Sequence, residues 1–160
     1  MRKMIANIIL ATSAMVSIAT MAKSQFSAEA GEVLVMVNEL RMAGATCSGT
    51  GTVWGPTDPL IPTENLFISA HGWSINMVQT GNATHSGFFR RINNACPNPG
   101  VIAENIAADG AAVGAVLRWM SSPSGHCEAI MNPNFKFIGV GMAPDGEFDA
   151  YWTVQFAQSC

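Results

Sequence analysis

The 160-residue sequence predicts an α+β domain with helices above and below a small antiparallel sheet. Phe135–Met142 and Tyr151–Phe156 are apolar on both alternating faces apart from Lys136, and the turn signal Pro144-Asp145-Gly146 separates them, which reads as a hairpin. A strand that is apolar on both faces must be covered on both. Three stretches with apolar residues at helical spacing are available to cover them.

The chain opens with Arg2 and Lys3, followed by the uncharged, largely apolar stretch Met4–Met21 and small residues from Ala19 to Ser24. This pattern reads as a secretory signal over residues 1–22, cleaved after Ala22, with residues 23–160 forming a single domain. Later apolar runs are short and interrupted, so no stable membrane insertion is expected after cleavage, and the expected location is extracellular or periplasmic. Ser27 is placed to cap a first helix, with Glu29 in its first turn and Val33, Leu34, Val37 and Leu40 as its apolar stripe, ending by Gly44. Residues 44–63, rich in Gly and Pro, read as a long loop tied down at Cys47. Leu66, Ala70, Trp73 and Met77 mark a second helix, and an irregular stretch then carries His85 and Cys96. Val101–Ala107 reads as a strand, and Val113, Val116, Leu117 and Met120 as a third helical stripe. Pro123 stops that helix or restarts a short one.

Only 12% of residues are charged, the formal net charge is −3, and apart from Arg90-Arg91 the basic residues of the remaining chain are scattered, which argues against nucleic acid as a partner. The four cysteines, Cys47, Cys96, Cys127 and Cys160, form an even set in a chain read as exported, so two disulfides are expected, with all three pairings open. Their spacing does not match a cysteine zinc motif.

Three short islands form the candidate site: Thr84-His85-Ser86-Gly87, Ala103-Glu104-Asn105-Ile106 and Ser124-Gly125-His126-Cys127. Period two puts Glu104 on the same strand face as Ile102 and Ile106, and a carboxylate there needs a partner. His85 and His126 are the obvious suppliers. Glu128, two helical positions from His126, reads as a solvated surface charge, and His71 as a partly buried helix histidine with a local hydrogen bond, outside the site. Trp54, Trp73, Trp119 and Trp152 read as core, although they could line a ligand groove. Asn82-Ala83-Thr84 is an acceptor sequon that has meaning only in a host that glycosylates secreted proteins.

Several fragments occur in a characteristic order: Val37-Asn38-Glu39-Leu40-Arg41, Ala103-Glu104-Asn105-Ile106-Ala107, Trp119-Met120-Ser121-Ser122-Pro123, Gly125-His126-Cys127 with Ile130-Met131-Asn132-Pro133, Ile138-Gly139-Val140-Gly141 and Tyr151-Trp152-Thr153. In this the chain resembles the CAP superfamily of cysteine-rich secretory proteins, antigen 5 and plant pathogenesis-related proteins, and above all its bacterial SCP-like members. The resemblance implies a three-layer α-β-α sandwich and a cleft of two histidines and two acidic residues, three of which fall on His85, Glu104 and His126. Where many members carry the fourth, acidic residue, this chain has Ser121-Ser122, and where bacterial members often carry a helix histidine it has Trp73.

No G-x-S-x-G is present, Ser86 beside His85 lacks a third partner in sequence, and Cys127 is expected to be oxidised. The leading reading is therefore a secreted, disulfide-stabilised CAP-domain protein that needs no cofactor and binds a small apolar ligand, a sterol or fatty acid being what the resemblance implies, or an extracellular protein partner. One alternative is a metal-assisted hydrolase in which His85 and His126 hold zinc or another divalent cation beside Glu104. The other is an interaction module whose His-Glu cluster only holds the cleft together. A lipid binder requires an apolar groove between helices, and a metal hydrolase requires converging imidazoles.

Overall fold

The computed structural model describes residues 27–146 and 149–160; the expected signal segment, residues 1–22, lies outside the described residues. In chain order the elements are α1 (Ala28–Ala43), β1 (Ala45–Thr46), β2 (Val53–Trp54), β3 (Ile61–Pro62), α2 (Glu64–Thr80), α3 (Phe88–Ala95), β4 (Ile102–Ala108), α4 (Ala112–Met120), α5 (His126–Met131), β5 (Phe137–Asp145) and β6 (Asp149–Ala157). Ser27 caps α1 as expected, its hydroxyl accepting from the Ala30 N–H at 3.2 Å, and Thr63 caps α2 in the same way through Leu66.

The main sheet has strand order β3-β5-β6-β4. β5, β6 and β4 are antiparallel and form the expected hairpin and strand, while the two-residue edge strand β3 adds in parallel to β5. β1 and β2 form a separate antiparallel pair inside the stretch read as a loop. α2 packs on one face of the sheet with α3 beside it, and α1, α4 and α5 cover the other face. The architecture is an α-β-α sandwich.

The two faces of the sheet differ in chemistry. Toward α1 and α4 stand Ile138, Val140, Trp152, Val154 and Phe156, all essentially buried with Val33, Val37 and Trp119 in one apolar core. Toward α2 stand Gly139 and Gly141 on β5 and the buried polar residues Thr153 and Gln155 on β6. A Cβ on Gly141 would overlap the backbone nitrogen of His71, and one on Gly139 would overlap the carbonyl carbon of Leu66. The two glycines thus let the α2 backbone rest directly on β5. Ser74 of α2 completes that contact, donating to the Gly141 carbonyl at 3.2 Å or to the Thr153 hydroxyl at 2.9 Å.

The long loop is held from within α1. Asn38 exchanges two hydrogen bonds with the backbone of Leu60, at 3.1 and 2.8 Å. Arg41, fully buried, donates to the carbonyls of Asp58, Ile130 and Asn132 at 2.8, 2.6 and 3.0 Å. The buried cation is thereby matched by carbonyl dipoles. Disulfides join Cys47 to Cys127 and Cys96 to Cys160, 80 and 64 residues apart in sequence, which resolves the pairing left open by spacing. On a chain-entropy account each contributes about 4 kcal/mol by constraining the unfolded state.

Three readings are corrected. The irregular stretch before Cys96 contains α3. The buried face of α4 is Ala112, Ala115, Val116 and Trp119, whereas Val113 and Leu117 are 54% and 63% exposed. Of the four tryptophans Trp119 and Trp152 are core, and Trp54 and Trp73 are only half-buried.

Because the glycines are required by contact with backbone, which cannot move aside as a flexible side chain can, Gly141→Ala should cost about 3 kcal/mol or more. The Gly51→Ala control has open space around it but a positive φ of 78°. It should cost only about 1 kcal/mol, and urea unfolding midpoints distinguish the two.

Candidate functional site

The site forms at the free edge of the sheet, on β4. Glu104 and Asn105 are consecutive there, and their side chains therefore leave opposite faces of the strand. Glu104 is paired in register with Gln155 of β6, whose Nε2 donates to Glu104 Oε2 at 2.9 Å. Arg91 of α3 grips the same carboxylate with Nη2, 2.7 Å from Oε1 and 2.6 Å from Oε2. His85, in the loop before α3, completes the set through Nδ1 at 3.1 Å from Oε1. The Glu104 side chain is fully buried, so these partners replace its entire hydration.

Burial pushes the Glu104 carboxyl upward, but the hydrogen bonds from His85, Gln155 and Arg91 and the charge of Arg91 together outweigh it and hold the group below its ordinary value. The carboxylate is thus ionised at neutral pH and can only accept, which places a proton on His85 Nδ1 and leaves Nε2 directed elsewhere. Arg91 is itself held in place. Its guanidinium lies 3.6 Å from the ring centre of Trp73, and it donates to the Ser86 carbonyl. The Trp73 indole N–H in turn holds the Thr84 carbonyl at 2.8 Å, which fixes the loop that carries His85.

Asn105 serves the other histidine, its Nδ2 donating to the His126 carbonyl at 2.9 Å. The His126 ring is half-buried, with Nδ1 2.7 Å from the hydroxyl of Ser122, which also accepts from the Ser124 N–H at 3.1 Å. Burial first, and then the neighbouring His85, lower the His126 pKa below the ordinary 6.5, so this imidazole is neutral at pH 7. The two rings lie 6.3 Å apart between centroids.

His85, Glu104 and His126 are therefore gathered at one strand edge, but with different partners from those expected. His126 does not serve Glu104; Arg91 and Gln155 do, beside His85. An aromatic and a basic residue missed by the sequence reading, Trp73 and Arg91, are the supports of the cluster. The buried carboxylate called for a cation, and Arg90-Arg91 is the only basic pair after residue 3, whereas the strand register that delivers Gln155 leaves no trace in sequence. His71 lies outside the cluster as expected, but its hydrogen bond is not local: Nδ1 is 2.8 Å from the Met142 carbonyl on the sheet. Glu128 is half-buried and accepts from the Thr50 hydroxyl at 2.5 Å, so it is not simply solvated.

Zinc asks for a different donor set. A catalytic zinc takes three protein ligands, and one tetrahedral ion would bring two imidazole centroids to about 5 Å. Here two imidazoles sit at 6.3 Å, Glu104 is spent on Arg91 and Gln155, and among the described residues no group of three or more His, Cys, Asp or Glu side chains converges on one point. These residues do not fit a zinc centre. Nor do they form a nucleophile triad, because the hydroxyl, Ser122, is bonded to His126 while the carboxylate is bonded to His85.

The α-β-α sandwich with an edge cluster of two histidines and a carboxylate defines the class of domain. The pattern of CAP, the cysteine-rich secretory protein family, matches residues 6–156, and the chain belongs to that family. No curated protein matches it by sequence. Among solved structures it is similar to an outer surface protein from Borrelia burgdorferi, with a TM-score of 0.66, 20% identity, and coverage of 84% of this chain and 96% of that one. It is also similar to a cysteine-rich secretory protein from Staphylococcus aureus, with a TM-score of 0.63, 16% identity and 82% of this chain covered, but only 38% of that longer protein. A third likeness, to NaASP2 solved with Zn2+, has a TM-score of 0.56 and 13% identity over 86% of this chain and 83% of that one. At these identities the likenesses speak for the fold.

Glu104→Gln should cost about 3 kcal/mol at pH 7, because it leaves the Arg91 charge facing a neutral amide. A carboxyl held below its ordinary value of 4.5 contributes stability that is present above that pH and is lost as pH falls through its folded value. The gap between wild type and Glu104→Gln should therefore narrow as pH falls below 4.5, as read by urea unfolding at pH 7 and at successively more acid pH. An NMR titration of the imidazole protons should place His126 below 6.5, and His85→Ala should move it back upward by removing a neighbouring positive charge.

Proposed function

We infer that this CAP-domain protein acts outside the cytoplasm as a non-catalytic binder of a small apolar ligand, held in a groove between α1 and α4. The observation that carries the reading is the groove itself. It has a volume of about 630 Å³ and is walled by Met36 and Leu40 of α1 and by Val113, Val116, Leu117 and Met120 of α4. Val113 and Leu117, one helical turn apart, leave more than half their surface in water, although they complete the stripe that the sequence assigns to a buried face. The volume is within the ordinary range for small-molecule sites.

A linear aliphatic chain gains about 0.8 kcal/mol for each methylene buried, so ten carbons supply about 8 kcal/mol, of which an association cost of about 4 kcal/mol or more leaves binding no tighter than about millimolar. Sterols and fatty acids, the ligands implied by family resemblance, both have the apolar bulk this requires. The location rests on family membership, on the outer-surface and secretory names of similar proteins, and on the basic-apolar start of the chain. Among the described residues no helix is long and apolar enough to cross a membrane. The His85–Glu104–His126 cluster has in this reading a structural role, pinning the β4 edge, α3 and α5 together, and no metal step is assigned to it.

Binding is tested by titrating the purified mature protein with the neutral fluorescent probe N-phenyl-1-naphthylamine. Wild type should enhance its emission saturably, Leu117→Asp should weaken binding about tenfold or more, and His126→Ala should leave it unchanged. No enhancement, or equal loss in Leu117→Asp and His126→Ala, would refute the groove reading.

A further inference from the structure

A second concave surface, of about 570 Å³, lies between α2 and α3, across the sheet from the α1–α4 groove. Its α2 wall carries Asn65, Ser69, Gly72 and Asn76, whose spacing puts them on one helix face, beside the buried stripe Leu66, Ala70, Ser74 and Met77. Asn94 and Arg91 of α3 form the other wall. Among the described residues the three carboxamides and the Ser69 hydroxyl have no hydrogen-bond partner within the protein. Of the lining residues only Arg91 is charged, and it is matched by Glu104, so the groove offers no spare charge to a ligand.

Gly72 gives an independent observation. It is in the middle of α2, where glycine is less favourable than alanine, yet a Cβ there would meet nothing within 4 Å. Gly139 and Gly141 are required by backbone contact, whereas no contact within the protein requires Gly72. Its bare backbone lies on the groove wall between Ser69 and Asn76, which suits the close approach of a ligand.

We propose that the α2–α3 groove binds a neutral oligosaccharide. A carboxamide both donates and accepts, as a sugar hydroxyl does, so each pairing can be made in either sense. Ile68, 58% exposed, and the half-buried Trp73 line the groove beside the amides and give apolar surface for the C–H face of a sugar ring. From Asn65 to Asn76 the stripe runs about 16 Å at the helical rise, the length of a short oligosaccharide rather than of one sugar. A peptide fits less well, since strand addition needs a free strand edge and helix docking an apolar groove, and these walls are the polar sides of two helices. The site is separate from the α1–α4 groove and does not rest on the reading given for it.

Cellotriose, maltotriose and chitotriose are titrated separately into isotope-labelled mature protein, beside the neutral peptide N-acetyl-trialanine amide, and the side-chain amide resonances of Asn65, Asn76 and Asn94 are followed by two-dimensional NMR. We expect at least one trisaccharide to move these resonances saturably, Asn76→Ala to weaken that binding about fivefold through loss of one hydrogen-bonding group, and Leu117→Asp to leave it unchanged. Gly72→Ala is the sharper test. It should raise the urea unfolding midpoint, because alanine is the better helix former, and yet weaken the trisaccharide, because the methyl group takes space that the sugar uses. No saturable movement of the three amides with any trisaccharide, or binding indifferent to both Asn76→Ala and Gly72→Ala, overturns the proposal. Stronger movement by the peptide than by every trisaccharide overturns it in favour of a peptide groove.

Discussion

The buried carboxylate of Glu104 is the constraint on which the edge of this fold depends. A charge with no exposed surface cannot persist without compensation, and here three different elements supply it: Gln155 from the neighbouring strand, Arg91 from α3 and His85 from the loop before that helix. Each partner commits its own element. Gln155 fixes the register of β4 on β6, because a slip of one residue would turn Glu104 away from it. Arg91 holds α3 against the sheet, where Ile92 and Cys96 are buried beside Leu66, and stacks on Trp73 of α2. Phe88, Ile92 and Ala95 pack α3 into an apolar cluster with Leu66 and Ala157, and the ion pair and the Cys96–Cys160 disulfide add to that contact.

The same strand edge explains why two histidines distant in sequence come together without sharing a ligand. Glu104 and Asn105 project from opposite faces of β4, one taking the His85 ring and the other the His126 backbone. Nδ1 of His85 is spent on a carboxylate and Nδ1 of His126 on the hydroxyl of Ser122, in a chain where many CAP relatives would place an acidic residue near that serine. Exchanging an acid for a hydroxyl removes one anion from the cluster. It leaves His126 with the burial and the neighbouring imidazole that lower its pKa, opposed only by Glu128. The result is a cluster whose carboxylate is fully partnered, while Arg91 Nε and Gln155 Oε1 are buried without a hydrogen-bond partner among the described residues.

Much of this was legible from the residues. The helical stripes of α1 and α2, the C-terminal hairpin, the presence of two disulfides and the pairing of Glu104 with His85 follow from periodicity, parity and the need to neutralise a charge, whereas His126 lies beside that pair without serving the carboxylate. What escaped was of a different kind. α3 carries two arginines and two asparagines in eight residues, and its apolar positions Phe88, Ile92 and Ala95, though at helical spacing, span too short a segment to stand out from the irregular chain around them. Gln155 reaches Glu104 through a strand register that sequence spacing cannot supply. The misassigned face of α4 has a more specific cause: Val113, Val116, Leu117 and Met120 do form one apolar stripe, but alanines and Trp119 are sufficient to fill the space against the core, and the helix is rotated so that part of the stripe remains outside.

That rotation leaves an apolar face open on one side of the domain, whereas the other side is polar and closely packed. On the α2 side, glycines bring helix and sheet into backbone contact, and the remaining space is taken by Ser74, Thr153, Gln155 and Glu104 in mutual hydrogen bonds. On the α1–α4 side the core is complete beneath Val37, Val116 and Trp119, yet Val113 and Leu117 stay in water above it. Stability gains nothing from that exposure, and a sequence that tolerates it departs from its own hydrophobic pattern at one place. The departure falls on a groove of ligand size, so the same helix rotation that frustrates the simple reading of α4 leaves an apolar surface open between α1 and α4.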